Sequence, residues 1–333
     1  MMRRVAVVGT GTMGTLHLEA WKNAGNCEVV AVIGRTEQNI IQLAEQFNVK
    51  GFHDLQTAIE QLPIDIVDVC VPTHLHEEVI KIAAQAGKAV ICEKPLAADA
   101  KTARRIVDLC EKYDVPLFAG HVLRFSPEYK AARQQVMNGA IGKPGVMRLS
   151  RGCPYPKGRD EWYRDESKSG GVLLDLGIHD FDWLHWTFGE VERVMAKRIK
   201  REDLEYALVT LRFASGAIAH VTLSWGITKF SASFELAGSE GMITYKSSDQ
   251  DPVVVELFHE IDRKQERVAV PSYLVERTPL ENQLQHFADC LENKRSAIVT
   301  AADAVKAIEL AEAALESVKI GQPIQLKKGG VLK

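Results

Sequence analysis

The stretch RVAVVGTGTMG, residues 4–14, places a glycine-rich turn directly after a short apolar run. An apolar run of this kind predicts a buried strand, and the residues after the turn follow a helical pattern. With the spacing Gly9-x-Gly11-x-x-Gly14, such glycines serve a tight turn, close approach of the backbone to a pyrophosphate, and helix–strand packing. The stretch therefore predicts a dinucleotide-binding turn, although a glycine turn without a ligand remains the alternative. The residues predicted to bind the cofactor here are Gly9, Thr10, Gly11, Thr12, Met13 and Gly14.

The region after this stretch alternates short apolar runs with helical patterns as far as about residue 120. The first helix is expected to bury Leu16, Ala20 and Trp21. Near-continuous apolar strands separated by helices indicate a parallel sheet that is covered on both faces. Residues 1–122 are therefore predicted to form a doubly wound Rossmann domain. The predicted strands lie at 4–8, 28–33, 64–71, 89–92 and 115–119, and the predicted helices at 37–47, 77–86 and 99–113.

The pattern changes in residues 123–333, where longer runs are rich in β-branched residues. Long strands with short connections predict an α+β domain built on a large, mainly antiparallel open sheet, and hence an α/β protein overall. One face of an open sheet must be covered, which predicts a homodimer or homotetramer through this sheet. Predicted strands lie at 144–151, 191–199, 205–213, 217–225, 230–237 and 253–258, and predicted helices at 177–188, 280–292 and 301–318.

The composition excludes several classes of protein. The 333 residues carry 41 Lys+Arg against 44 Asp+Glu, a balance that argues against a nucleic-acid partner held by phosphate neutralisation. A hydrophobic fraction of 46% excludes wholesale disorder, and no apolar run is long enough to predict a membrane span. The six cysteines form no C-x-x-C pair, so we expect no metal site, reduced thiols and a cytoplasmic location.

The end of the second predicted strand bears on the choice of cofactor. An acidic residue about twenty positions after the glycines would bind a ribose diol, but Gly34 occupies that place here. Arg35 and Thr36 follow, and a guanidinium and a hydroxyl suit a 2′-phosphate, which a carboxylate would repel. We therefore expect NADP in preference to NAD. An Arg35 that merely stacks on adenine would leave NAD possible.

Two further strand ends are predicted to face the same cofactor. In an open parallel sheet ligands bind beyond the carboxyl ends of the strands. Pro72 and Thr73 end one strand, and His76 follows as a cofactor contact or a helix-capping residue. Glu93 and Lys94 end the next strand and precede a proline, which places an ammonium group at the crevice.

A second polar signal lies in the other half of the chain. Asp175 and His179 follow a Gly-Gly pair and are four residues apart, so on a helix they share one face. A carboxylate near an imidazole orients it and raises its basicity, which suits general acid–base chemistry. An N-capping Asp175 beside a packed His179 is the structural alternative.

Four other residues are candidates for substrate contact. His121 and Arg124 lie just past the last predicted strand of the first half, and Arg124 suits either a substrate hydroxyl or an ion pair between the domains. Tyr155 and Trp162 lie on a long loop before the Gly-Gly pair. Aromatic residues in such a loop suit a sugar-binding rim, and they equally suit a subunit interface.

The glycine turn at 9–14, the Glu-Lys-Pro turn at 93–95 and the segment 170–179 together resemble the motifs of the Gfo/Idh/MocA oxidoreductases. That family includes inositol dehydrogenases and glucose–fructose oxidoreductase, and the resemblance covers essentially the whole chain. It implies an NAD(P)-dependent oxidoreductase that acts on a secondary hydroxyl of a sugar, polyol or inositol. The Gly34-Arg35 pair departs from the usual acidic residue of the inositol dehydrogenases.

The resemblance implies a catalytic trio of Lys94, Asp175 and His179. His179 is then the general base, Lys94 stabilises charge on the substrate oxygen, and Asp175 binds a neighbouring hydroxyl or tunes His179. Two alternatives stay open on the sequence alone. One is a glycoside hydrolase that oxidises and later reduces its substrate, and the other is a nucleotide-sensing protein without catalysis.

Overall fold

A computed structural model describes residues 2–249, 253–257, 266–267 and 277–326. The chain divides into two compact units. The first comprises Met1–Phe125 and Arg277–Val305, and the second comprises Ser126–Glu276 and Lys306–Lys333. These bounds differ from the predicted division into 1–122 and 123–333, because a late segment of the chain packs with the first unit.

The first unit contains a six-stranded parallel sheet among the described residues, in the order β3-β2-β1-β4-β5-β6. This doubly wound order confirms the predicted Rossmann architecture and reverses direction between the first and fourth strands. The strands are β1 (Arg3–Val8), β2 (Cys27–Ile33), β3 (Lys50–Phe52), β4 (Ile66–Val69), β5 (Ala89–Glu93) and β6 (Leu117–Gly120). The helices between them are α1 (Thr12–Trp21), α2 (Glu37–Phe47), α3 (Leu55–Gln61), α4 (His76–Gln85) and α5 (Ala100–Lys112).

The second unit is built on a sheet with nine strands in the part of the chain that is described. Its order is β14-β13-β12-β11-β7-β10-β9-β8-β15, and β7 and β10 form its one parallel pair there, as expected for a mainly antiparallel sheet. The strands are β7 (Pro144–Cys153), β8 (Val191–Arg201), β9 (Leu204–Phe213), β10 (Ile218–Trp225), β11 (Ser231–Gly238), β12 (Gly241–Lys246), β13 (Val253–Leu257), β14 (Glu266–Arg267) and β15 (Ile324–Gln325). The helices are α6 (Pro127–Met137), α7 (Glu166–Ser169) and α8 (Gly177–Phe188), with a π-helical turn at Val172–Leu176 before α8.

The helix α9 (Pro279–Asn293) explains why the first unit is not continuous in sequence. Its Phe287 stacks on Phe118 of β6 with ring centroids 4.9 Å apart, and Phe125 packs edge-on against the ring of Phe287. Arg3 of β1 donates to the carbonyl oxygen of Leu291 in this helix. The chain then continues into α10 (Ala301–Ile320), which begins in the first unit and ends in the second.

A buried ion pair holds β7 to α8 in the second unit. The Arg151 guanidinium donates to both carboxylate oxygens of Asp180 at 2.7 and 2.8 Å and to the Tyr129 hydroxyl oxygen at 2.6 Å. All three side chains are buried. The Arg151 guanidinium therefore supplies hydrogen bonds to a carboxylate and a hydroxyl that would otherwise be costly to remove from water. This contact fixes the helix that carries His179.

Periodicity predicted most elements but not every buried face. The bounds of α2 and α8 agree with the prediction, whereas the strand predicted at 64–71 is shorter and residue 258 lies outside the described residues. Leu16 is 47% exposed, because α1 turns His17, Leu18 and Trp21 inward instead. Among the described residues, no helix has both the length and the apolar character required to cross a membrane.

The packing of α1 on β1 makes a prediction about two neighbouring glycines. A Cβ at Gly14 would lie 1.9 Å from the carbonyl oxygen of Gly9, whereas a Cβ at Gly11 would meet nothing within 4 Å. We expect Gly14→Ala to lower the free energy of unfolding by ~2 kcal/mol or more, because backbone must shift. Gly11→Ala is the matched control and should stay within about 0.5 kcal/mol of wild type. Denaturant unfolding of both ligand-free variants measures this, and equal stabilities would refute the packing argument.

Candidate functional site

The carboxyl ends of β1, β4 and β5 lie side by side at the point where the strand order reverses. Gly9 directly follows β1, Pro72 lies three residues past the end of β4, and Lys94 directly follows β5. This edge of a doubly wound sheet is where nucleotides bind. The structure therefore brings together the predicted cofactor residues of the first unit.

The glycine-rich turn has the features of a phosphate-binding turn. Gly9 has a φ of 134°, and its N–H donates to the carbonyl oxygen of Ile33 at 2.8 Å. The next residues, Gly11, Thr12 and Met13, are exposed, and the first turn of α1 contains no acidic side chain. The free N–H groups and positive end of the helix dipole are thus open to an anion. These residues fit the pyrophosphate of a dinucleotide.

The end of β2 is crowded at the position where an acidic side chain would accept hydrogen bonds from a ribose diol. A Cβ at Gly34 would lie 2.4 Å from Cγ2 of Thr10, so a larger residue there would require the Thr10 side chain to move. Arg35 is exposed beside it, and Thr36 is half-buried as the residue that precedes α2. The structure therefore exposes the Arg35 side chain at the end of β2, as the sequence pattern predicts.

His76 lies inside the first unit rather than at its surface. The ring is 1% exposed, with Nε2 2.9 Å from the carbonyl oxygen of Val71 and Nδ1 3.3 Å from that of Leu96. Burial lowers the pKa of His76, and the neutral ring can donate from Nε2 while Nδ1 accepts from the Cys92 thiol at 3.3 Å. The side chain thus links the turn after β4 to Cys92 of β5, two residues before Lys94. Thr73 is also buried, in a short 3-10 turn before α4.

Lys94 is half-buried at the end of β5, next to the buried Glu93. Its backbone N–H donates to Oε2 of Glu93 at 3.2 Å. Gly120 of β6 leaves the space that Glu93 occupies, because a Cβ there would lie 2.9 Å from Oε1 of that carboxylate. The position of the Lys94 backbone is therefore set by a buried acid.

His17, which sequence reasoning did not single out, completes this arrangement. Its Nδ1 lies 2.8 Å from Oδ2 of Asp68, and its Nε2 lies 3.1 Å from Oε1 of Glu93. His17 and Asp68 are fully buried. The sequence offered one signal for His17, namely its position three residues after Gly14. That spacing places a polar side chain on the face of α1 that packs inward.

The buried cluster carries charge. Burial alone lowers the pKa of His17, but Asp68 and Cys70 outweigh it and hold that pKa well above its ordinary value. Burial likewise raises the pKa of Glu93, but His17 and the charge of Lys94 outweigh it and lower that pKa. Both directions describe an imidazolium facing carboxylates. His17, Asp68 and Cys70 have the atom types of a metal site within 4.8 Å of one another, but Asp68 already accepts from His17 and from Trp21 at 2.7 Å.

Asp175 and His179 stand out in the second unit by their exposure. Between Gly171 and Leu184, they are the two residues that are not fully buried. Asp175 lies inside the π-helical turn and His179 in the first turn of α8, so Asp175 is not the N-cap of that helix. Asp175 and His179 are therefore the partly accessible residues of an otherwise buried segment.

Glu205 of β9 supports this segment and was also missed from the sequence. The carboxylate is fully buried, and its Oε1 accepts from the N–H of Val172 at 3.2 Å and from Arg198 at 3.3 Å. Burial raises the pKa of Glu205. It thereby anchors the backbone at the start of the π-helical turn that contains Asp175.

The four predicted substrate residues differ in accessibility. His121 and Arg124 are each 1% exposed, and Arg124 donates to the carbonyl oxygen of Ile298 at 2.8 Å and to Asp303 at 3.1 Å. These contacts favour an ion pair over a substrate contact for Arg124, and the pair lies within the first unit. Tyr155 and Trp162 are half-buried in the second unit. Tyr155 packs edge-on against Trp225 with centroids 5.5 Å apart.

Comparison with known proteins shows that the likeness extends over both halves. A model of an oxidoreductase family with an NAD-binding Rossmann fold matches residues 3–121. The model of the same family's C-terminal alpha/beta domain matches residues 133–326.

Named relatives share nearly the whole length. Myo-inositol 2-dehydrogenase of Thermotoga maritima is 31% identical over 339 residues, which cover 98% of this chain and 99% of that protein. The scyllo-inositol 2-dehydrogenase (NAD(+)) of Bacillus subtilis is 29% identical over 347 residues, covering 97% and 96%. The crystal structure of a probable dehydrogenase from Thermotoga maritima superposes with a TM-score of 0.81 at 30% identity, covering 97% of this chain and 98% of that one.

The charge of the buried cluster predicts a pH dependence of stability. Because folding raises the pKa of His17, the folded state holds a proton that the unfolded state releases above about pH 6.5. The stabilisation that His17 adds to the folded state is therefore complete below that pH. It is lost as pH rises towards the folded-state pKa, and the free energy of unfolding then falls by at most about 1.4 kcal/mol per pH unit. We expect the melting temperature of wild type to fall more steeply from pH 6.5 to 8 than that of His17→Gln. His53→Gln, which removes an exposed histidine of the same unit, should keep the wild-type slope, and parallel slopes for all three proteins would contradict the prediction.

Proposed function

Since the chain belongs to the Gfo/Idh/MocA family of NAD-binding oxidoreductases, we propose that it oxidises a secondary hydroxyl of a sugar, polyol or inositol through Lys94, Asp175 and His179. It is an enzyme of the NAD-dependent dehydrogenase class that acts on CH–OH groups. The observation that carries the proposal is the position of Lys94, half-exposed at the end of β5, at the same edge of the sheet as the phosphate-binding turn. The fold alone would not identify a reaction, but an ammonium group at that edge has a chemical use.

Each polar residue of the trio has a separate task in this proposal. Lys94 donates to the substrate oxygen and stabilises the negative charge that develops on it. His179 takes the hydroxyl proton during oxidation and returns it in the reverse direction. Asp175 accepts from a neighbouring hydroxyl or orients His179, and both lie on the exposed side of a segment that Glu205 anchors. The bound nicotinamide supplies the acceptor for hydride.

The residues proposed to hold the dinucleotide are those of the first unit. The N–H groups of Gly11, Thr12 and Met13 would bind the pyrophosphate, and Arg35 is exposed next to Gly34, which stands where an acidic residue would bind a ribose diol. We propose that Arg35 and Thr36 favour NADP through its 2′-phosphate. The family model and the name of the Bacillus subtilis relative support NAD, so the preference rests on these two residues.

The open face of the nine-stranded sheet supports the proposal of a homodimer or homotetramer. Along β9 the side chains alternate between buried and accessible, and Leu208 on the accessible face is 62% exposed. Ile218 of β10 and Ile199 of β8 are exposed as well. Exposed apolar groups on the accessible face of an open sheet suit a second copy of the chain. The cytoplasmic location stays a prediction, which the six free cysteines suit.

Activity assays test the catalytic assignment. Absorbance at 340 nm is followed with a panel of cyclitols and aldoses, with NAD and with NADP. We expect Lys94→Ala to lower kcat/KM by about 10²–10³-fold, since a donor to the substrate oxygen is lost, and His179→Asn to lower it by about 10²–10⁴-fold. Lys101→Ala removes an exposed lysine of α5 and should leave the rate unchanged. Equal turnover by wild type and Lys94→Ala would refute the role of Lys94, and aglycone release from a glycoside without absorbance change would favour the hydrolase.

A second variant tests the cofactor proposal. Arg35→Ala should raise the KM for NADP about tenfold, the loss expected for one charge-assisted hydrogen bond to a phosphate. The KM for NAD serves as the internal control and should change less than about threefold. An equal rise for both cofactors would show that Arg35 stacks on adenine, and no rise for either would remove it from the site.

A further inference from the structure

A buried imidazole bridges the two strand ends that flank the proposed reaction centre. His17 on α1 lies between Asp68 of β4 and Glu93 of β5, with contacts of 2.8 Å from Nδ1 and 3.1 Å from Nε2. The histidine and the aspartate are fully buried, and Glu93 is 7% exposed. Three elements that are distant in sequence therefore meet on one ring.

Each carboxylate of the bridge also has a second task. Oδ2 of Asp68 accepts from the Trp21 indole at 2.7 Å, within the same helix as His17. Oε2 of Glu93 accepts from the backbone N–H of Lys94 at 3.2 Å. A continuous chain of hydrogen bonds thus runs from α1 through His17 and Glu93 to the Lys94 backbone.

The position of the His17 ring between two carboxylates requires an N–H donor on each side of the ring. A protonated imidazole satisfies both acids, whereas a neutral ring would set a lone pair against one carboxylate. A buried acid without its donor is costly, so the bridge resists displacement of either strand end. The groups that face His17 are Asp68, Cys70 and Glu93, and the Lys94 ammonium lies close enough to Glu93 to interact with its charge.

We propose that His17 is a positioning residue for Lys94: through Glu93 it holds the Lys94 backbone in place relative to the helix whose first turn receives the cofactor phosphates. The catalytic part of this inference rests on the proposed function of Lys94. The pyrophosphate would be held by backbone N–H groups at the start of α1, and the bridge makes no hydrogen bond to those groups. Loss of His17 should therefore slow turnover much more than it weakens cofactor binding.

Enzyme kinetics separate positioning from general stability. We expect His17→Gln to lower kcat by about 10- to 100-fold, the cost of a misplaced catalytic group, with the Kd for NADH changed less than about threefold. Trp21→Phe is the matched control, because it removes a hydrogen bond from the same Asp68 oxygen and leaves the bridge to Glu93 intact. The same kcat in both variants, at equal folded fraction, would overturn the proposal.

A second readout does not depend on activity. Reductive ¹³C-methylation labels the lysine amines, and the Lys94→Arg variant identifies the Lys94 signal in the NMR spectrum. We expect that signal to change its position and titration midpoint in His17→Gln but to coincide with wild type in Trp21→Phe. An unchanged Lys94 signal in His17→Gln would refute the positioning role. Should the substrate panel give no turnover, the proposed function fails, and this signal still decides whether His17 positions Lys94.

A further variant guards against a His17→Gln protein that does not fold. Glu93→Ala breaks the same chain from its other end, because residue 93 then offers no acceptor to His17 Nε2 or to the Lys94 N–H. It should produce the same fall in kcat and a displaced Lys94 signal. If both variants fold, the His17→Gln Glu93→Ala double variant should lose no more than either single one, and losses that multiply would contradict a shared path.

Discussion

The close approach of Gly14 to the carbonyl oxygen of Gly9 is the constraint on which the first unit depends. It brings the start of α1 against the end of β1, where no Cβ would fit. His17 lies one turn further along α1. Because the helix packs so closely on β1, the His17 ring reaches both Asp68 and Glu93. The turn that suits a phosphate and the acid that holds Lys94 are thus set by one backbone contact. A helix displaced by a bulkier residue at position 14 would move both.

Local signals were sufficient for the sheet of the first unit and for its glycine turn. Strands that are buried on both faces appear in the sequence as continuous apolar runs. Glycines with the spacing of residues 9, 11 and 14 after such a strand indicate a dinucleotide-binding turn. The same signals were weaker where an element is short or polar. The three residues of β3 and the seven residues of α3 are examples, because each element is too short to establish a period. The π-helical turn at Val172–Leu176 adds a residue to the helical repeat, so the face shared by Asp175 and His179 does not follow from a regular helix.

The supporting roles of three polar residues were beyond reach of sequence patterns, although His76 itself was predicted as a cofactor contact or a helix-capping residue. His17, His76 and Glu205 act through partners that are distant along the chain or through backbone atoms, and no spacing rule reports such contacts. Arg124 shows the converse problem. Its sequence position suited a substrate contact, but its guanidinium is occupied by Ile298 and Asp303, which only folding brings near. Titratable side chains are conspicuous in a sequence, whereas their burial is decided by tertiary packing.

The return of residues 277–305 to the first unit has a consequence for how such proteins are recombined. Phe287 of α9 covers Phe118 of β6, so the nucleotide-binding half includes a piece that is encoded far downstream. Exchange of the first half alone between two family members would pair a foreign β6 with a resident α9. A working chimaera therefore has to carry two separate gene segments, and the aromatic stack between them is the junction that must match.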